Sequence, residues 1–194
     1  MWKYVHTTFA EGRHQDVHFK LLHRITVSKH YVSTRFKGGH KFKGMNVACK
    51  TCRGTIETNE HIFFDCKNAK AIWTFVYPTV QKIMYPDRFK IPSLILGDFP
   101  QKTPFKKINM CLSLLQVAIH AIWENRNYIL FEQKHRDKAL TIGEGVIYGT
   151  FCTILKRKFN EFRPNGLNKF RELYCHTPEV CEVLGNDQIR VHML

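Results

Sequence analysis

Apolar side chains recur at spacings of three and four residues over four long stretches of the 194-residue chain. That period is the helical one. From Phe19 to Val32, the residues Leu21, Leu22, Ile25 and Val32 can share one helix face. Lys20, Arg24 and Lys29 then fall largely elsewhere, and Gly38-Gly39 breaks the pattern. The Gly- and Lys-rich run from Phe36 to Ala48 reads as a loop or a loose hairpin. From Asn68 to Met84, Ile72, Phe75, Val76, Val80 and Ile83 repeat the helical spacing, and Pro78 predicts a kink or a division. Pro86 to Thr103 carries three prolines and the strip Ser93-Leu94-Ile95-Leu96, a connection with at most a short strand or helical turn.

The strongest period lies between Lys106 and Glu132. Ile108, Leu112, Leu115, Ile119, Ile122 and Ile129 form one face; Leu114, Val117, Ala118, Ala121 and Leu130 fill a second. A helix apolar on two faces is central and buried on most sides. His120 lies among them and reads as a satisfied core or boundary residue. Ala139 to Arg163 repeats the pattern through Leu140, Ile147, Phe151, Ile154, Leu155, Phe159 and Phe162. Gly143, Gly145 and Gly149 weaken its first half or let it pack close to a neighbour. A short helix is predicted near Leu167 to Tyr174. The tail from Thr177 shows no period and is expected to fray. The fold class is therefore mainly α. The expected organisation is a basic helical segment over 1–48, a compact turn over 49–66, a helical domain over 67–176 and a tail over 177–194.

Composition narrows the functional classes. Hydrophobic residues at 44% and charged residues at 24% exclude a wholly disordered chain. No run reaches the ~18 to 20 apolar residues of a membrane helix. Met1 to Ala10 lacks the apolar centre and small-residue cleavage site of a signal peptide, so the expected setting is intracellular, cytoplasm or nucleus. The net charge of +14 points to a polyanionic partner. The bias is concentrated: Val17 to Ile56 holds nine Lys and Arg and no Asp or Glu. Cations without compensating carboxylates favour a polyanion-facing surface over an ordinary solvated one.

Three of the seven cysteines fall within eighteen residues, with spacing C-x2-C-x8-H-x4-C over Cys49, Cys52, His61 and Cys66. An odd cysteine number without a secretion signal argues for a reducing compartment and a metal site. Tetrahedral zinc takes such a set, two sulfurs from one tight turn and the other two donors from a short helical turn. Gly54 lets the chain leave the turn, and Thr58 is placed to cap the helical turn carrying His61. Four protein ligands leave no position to activate water, so the zinc would be structural. The alternative is three buried free cysteines and an unrelated histidine.

Other sites are weaker. His14 and His18, four apart, could ligate a metal but sit among cations and read as solvated. Cys175, His176 and Cys181 lack a fourth ligand. Asp87, Asp98 and Lys102 faintly suggest a metal-dependent nuclease, yet Pro100 stands where an acidic-x-Lys unit needs lysine. No phosphate-binding glycine loop and no Ser-His-Asp or Cys-His catalytic pairing can be assigned.

The stretch Cys49-x2-Cys52, Glu57-Thr58, His61, Phe63, Cys66, Ile72-Trp73 resembles the zinc-binding region downstream of the reverse transcriptase in LINE-type (non-LTR) retrotransposons. Ile122-Trp123-Glu124-Asn125-Arg126-Asn127 through Phe131-Glu132 is similar to the W-x2-R-N helix further along such proteins, and the resemblance covers about residues 15 to 135. It implies a CCHC zinc knuckle in a nucleic-acid-binding accessory region of a retroelement polyprotein. The family's polymerase needs paired aspartates, and no Asp-Asp pair occurs here, so polymerase activity is not implied and the chain is expected to be no enzyme. It looks like a fragment, a decayed copy or a domesticated remnant.

The expected partner is RNA or single-stranded DNA. Phosphate contacts are expected from Lys37, Lys41, Lys43, Lys50 and Arg53. Phe63 and Trp73 are expected in the core, while Phe36 and Phe42 stand open between packing and base stacking. The alternatives are a protein-interaction module braced by zinc, a nuclease remnant, or a copy without function.

Overall fold

In the computed structural model of the chain, which describes residues 2–36, 44–131, 139–185 and 188–193, helices dominate. They are α1 (Trp2–Val5), α2 (Gly12–Leu22), α3 (Lys29–Arg35), α4 (Lys67–Met84), α5 (Ile91–Ile95), α6 (Phe105–Phe131), α7 (Ala139–Phe162) and α8 (Asn168–Tyr174). A wide π-helical turn, His61–Asp65, precedes α4, and two strands, β1 (Cys181–Leu184) and β2 (Gln188–Val191), come after α8.

The two-faced apolar period becomes the axis of the fold. Every residue of α6 from Met110 to Ile122 is buried, and α2, α4 and α7 pack around it. Two of its buried polar side chains, Gln116 and Ser113, hold the N-terminal segment. Gln116 Nε2 donates to the Val5 carbonyl at 2.8 Å and its Oε1 accepts from the Thr8 hydroxyl. Ser113 Oγ accepts from the Phe9 amide at 3.2 Å. These bonds fasten the segment between α1 and α2 to the axis, because leaving such groups unmade in the core costs about 1–3 kcal/mol each.

The single helix expected over Phe19 to Val32 is two. The chain leaves α2 at Leu22, and Arg24 adopts a left-handed conformation at φ 56°. Ser28 then starts α3 by accepting the Tyr31 amide at 3.1 Å. The break turns Ile25 outward, 44% exposed, instead of onto the expected apolar face. Ser28 is a readable N-cap residue that the apolar spacing masked.

His14 and His18 are not solvated: each is 1% exposed. α2 turns both rings toward the interior. His18 Nε2 donates to the Ile95 carbonyl at 2.9 Å, leaving Nδ1 to accept from Gln116 at 3.2 Å. His14 packs edge-on against His120, centroids 4.8 Å apart. His120 is 9% exposed and meets Glu124 at 3.4 Å, as expected of a boundary residue.

Pro78 does not divide α4, which runs unbroken to Met84. Val76, Thr79, Val80 and Ile83 around it are all buried, and that packing outweighs the ~3 kcal/mol a helix-interior proline costs. α5 is the short turn expected between Pro86 and Thr103. Gly143 marks a close approach of α7 to α4: a Cβ there would stand 3.3 Å from Ile72 Cδ1.

The tail does not fray from Thr177. β1 and β2 pair antiparallel, Cys181 opposite Val191 and Leu184 opposite Gln188. Val180 and Cys181 have no exposed surface. Four-residue strands are too short to show a period, but Gly185-Asn186-Asp187 between them is turn chemistry that could have been read. Core contacts run continuously from Phe9 to Val191.

Candidate metal centre

The chain from Val47 to Glu57 doubles back as a small hairpin. Ala48 bridges Ile56, the Cys49 amide donates to Thr55 at 2.8 Å, and the Glu57 amide donates to Val47 at 2.9 Å. Cys49 and Cys52 stand in its turn, closed by the Arg53 amide on the Cys49 carbonyl at 3.0 Å. Arg53 at φ 47° and Gly54 at φ 78° reverse the chain. Only glycine takes such a conformation without steric cost.

Thr58 caps the next turn, its hydroxyl accepting the His61 amide at 3.0 Å. The π turn then closes with the Cys66 amide on the His61 carbonyl at 2.7 Å. That i→i+5 bond ties the two donor residues His61 and Cys66 directly together. Cys66 is also the N-cap of α4. The positive end of that helix favours a thiolate there.

The four expected ligands are thereby brought together. Cys49 and Cys66 sulfurs lie 3.9 Å apart, Cys52 and Cys66 sulfurs 3.7 Å, and all four ligand atoms lie within 4.8 Å of one another. Sulfurs ~2.3 Å from a tetrahedral ion are separated by about 3.8 Å. His61 Nε2 is buried and has no hydrogen-bond partner. A cavity of about 20 Å³ opens beside the four donors, between the hairpin and α6; Cys49, His61 and Cys66 line it with Glu57, Ile122 and Arg126, and Cys52 does not. The donor set is soft, saturating and compatible with zinc. Among the described residues it is the one group of three or more His, Cys, Asp or Glu able to hold a metal.

One hydrogen-bonded contact between the Cys49 and Cys66 sulfurs sets the two thiols apart. The hydrogen bond from Cys66 pulls the Cys49 thiol down to about 4, against the opposing effect of burial. Cys66 is pushed up by the same bond and by burial. The Lys67 amide points at Cys52 Sγ from 3.5 Å.

The hairpin is bolted to α6 by residues that spacing alone did not single out as partners. Glu57, 1% exposed, accepts both from Arg126 Nη2 and from the Lys29 amide at 3.1 Å, the first residue of α3. The Arg126 guanidinium lies 4.9 Å over the Trp123 ring. Trp123 stacks at 15° on Phe63, with centroids 6.2 Å apart. Trp73 Nε1 donates to the Phe63 carbonyl at 2.7 Å. The Glu-Thr and Trp-x2-Arg blocks, far apart in sequence, are one contact. Phe63 is fully buried and Trp73 half-buried, as expected.

The expected phosphate contacts divide. Lys37, Lys41 and Lys43, with Phe42, lie outside the described residues. Lys50 is half-buried, and its ammonium donates to the Leu130 carbonyl in the last turn of α6 at 2.8 Å. Arg53 is exposed, as are Arg24, Arg35 and Lys67. Phe36 is 52% exposed.

The weaker candidates do not assemble. Asp98 lies beside Arg88 and Lys90 at a shallow cleft that Asp87 does not line. Cys175 and Cys181 approach to 3.8 Å, but His176 turns its Nδ1 to the Leu173 carbonyl. No described helix is long and apolar enough to cross a membrane. No protein-family model, curated protein or solved structure matches the chain.

Proposed function

We propose that the chain is a nucleic-acid-binding accessory module of the kind found in the zinc-binding region of LINE-type retroelement proteins. A structural zinc held by Cys49, Cys52, His61 and Cys66 forms a CCHC knuckle. RNA or single-stranded DNA is its partner. The observation that carries this reading is the convergence of the four donor atoms to within 4.8 Å of one another, beside a segment without carboxylates.

The bound ion would supply a cross-brace between the hairpin and the N-terminus of α4. The chain's own residues do the rest. Three thiolates and an imidazole give a zinc site a charge of −1, which the nearby Lys50, Arg53 and Lys67 offset. Glu57 and Arg126 hold the hairpin against α6, so Arg53 is presented outward from a fixed turn. Arg24, Arg35 and Arg53 would meet phosphates without reading sequence, and exposed Phe36 would offer a stacking face. No catalytic step falls to this centre, since four protein ligands fill the coordination shell.

The test is binding of the zinc-loaded chain to a single-stranded oligonucleotide at two salt concentrations. Phosphate-mediated binding falls by orders of magnitude between about 50 and 200 mM salt. A second reading, docking on a protein, is favoured by the exposed apolar residues Ile25, Val27 and Ile56 on the α2–α3 loop and the hairpin. An apolar interface would be nearly indifferent to salt.

A further inference from the structure

We propose that Cys175 and Cys181 form a reversible thiol–disulfide exchange site whose co-substrate is a small disulfide of the oxidised-glutathione class. The two sulfurs stand 3.8 Å apart. Cys175 ends α8 as its C-cap and Cys181 opens β1. The turn between them is set by the Val180 and Cys181 amides, which both donate to the Thr177 carbonyl, at 2.9 and 3.1 Å.

This pair differs from the sulfurs of the metal centre. Those share their space with a third thiol and an imidazole; Cys175 and Cys181 belong to no such group among the described residues. Two donors do not close a tetrahedral shell. Their proximity has another outlet, an S–S bond of ~2.05 Å, reached by a closure of about 1.8 Å. The five residues between them form a turn rather than a helix or strand, and can take up that movement.

The pair is also asymmetric in the way exchange requires. Cys175 is partly exposed, and Cys181 has no exposed surface. The hydrogen bond from Cys181, aided by Arg171, holds the Cys175 thiol below its ordinary range against burial and Glu182, while the same bond and burial push Cys181 up. Cys175 is therefore the attacking sulfur and Cys181 the resolving one. The Cys175 thiolate attacks one sulfur of glutathione disulfide, whose S–S bond breaks. The released glutathione thiolate takes up the proton lost by Cys175, leaving a mixed disulfide. Cys181 then gives up its proton and attacks the Cys175 sulfur, and the second glutathione leaves as the thiol. Two protein thiols are oxidised and one glutathione disulfide is reduced to two glutathiones. The product ties the β1–β2 hairpin covalently to α8.

The experiment uses the zinc-loaded full chain in glutathione buffers of rising oxidised fraction, quenched in acid, alkylated and digested with trypsin. Both cysteines fall in the single peptide spanning 172–190. The expected product is that peptide lacking two hydrogens and carrying no alkyl group, restored by dithiothreitol. Cys181→Ser should accumulate a stable glutathione adduct on Cys175. Cys175→Ser should label Cys181 at least tenfold more slowly. The proposal is overturned if the wild-type peptide stays doubly alkylated in fully oxidised glutathione, if wild type stops at a stable adduct, or if Cys181 reacts as fast without Cys175. The wild-type readout stands whether or not either variant folds.

Discussion

Glu57 and Arg126 face one another across the junction between the hairpin and α6, with side chains 2% and 15% exposed. The carboxylate also caps the first amide of α3. One buried pair thus fixes three elements: the hairpin carrying Cys49 and Cys52, the start of α3, and the end of the central helix. Removing one partner from a buried pair strands the other charge and costs about 3–5 kcal/mol. Arg126→Met should lower stability by that order, read from the urea midpoint at unchanged slope. The double variant Glu57→Gln with Arg126→Met should recover part of the loss. A double variant whose loss equals the sum of the two single losses would show that the pair is not coupled.

Metal removal should act locally first. The hairpin has little core of its own, whereas α6 is buried along thirteen consecutive residues from Met110 to Ile122. A strong chelator should therefore speed amide exchange over residues 47–57 at least tenfold while the α6 amides stay protected. Equal loss of protection in both would contradict this division.

Acid should weaken the fold through α2. Burial holds His14 down to about 4 and lowers His18 as well. His120 and Arg13 push His14 the same way, and Glu11 opposes them. The unfolded chain binds protons on these rings near 6.5, the folded chain only lower, so stability falls as pH drops from about 6.5 toward 4. The denaturant midpoint should decline over that window, and His14→Leu should decline less steeply. Parallel profiles would remove His14 as a contributor.

Gln116 joins Val5, Thr8 and His18 in one buried network. Gln116→Leu keeps bulk but leaves the Thr8 hydroxyl and the Val5 carbonyl without this partner. Each unmet group costs about 1–3 kcal/mol, so unfolding should shift by that order. Proteolysis between α1 and α2 should rise with it. A variant with the wild-type midpoint would show that water or a rearranged side chain replaces the amide.

The long helices were legible because their apolar periods outlast local noise. The two faces read between Lys106 and Glu132 are the buried faces of α6, and Gly143 does sit where α7 approaches Ile72. The four donors were legible because spacing and side-chain type speak together. What escaped depends on partners distant in sequence or on very short elements. Nothing near His14 or His18 says that α6 will cover them, and their cationic neighbours pointed the other way. The break at Arg24 was hidden because Ile25 and Val32 continued the period across it. β1 and β2 are four residues each, too brief for alternation to show. Glu57 and Arg126 lie 69 positions apart, so only the folded chain reveals them as a pair.

The central claim is that Cys49, Cys52, His61 and Cys66 hold one metal ion together. Metal analysis of the purified chain beside Cys52→Ser tests it most directly. One zinc per wild-type chain and a large loss in the variant is the predicted result. A folded wild-type chain without metal, or a variant retaining the full complement, would contradict it.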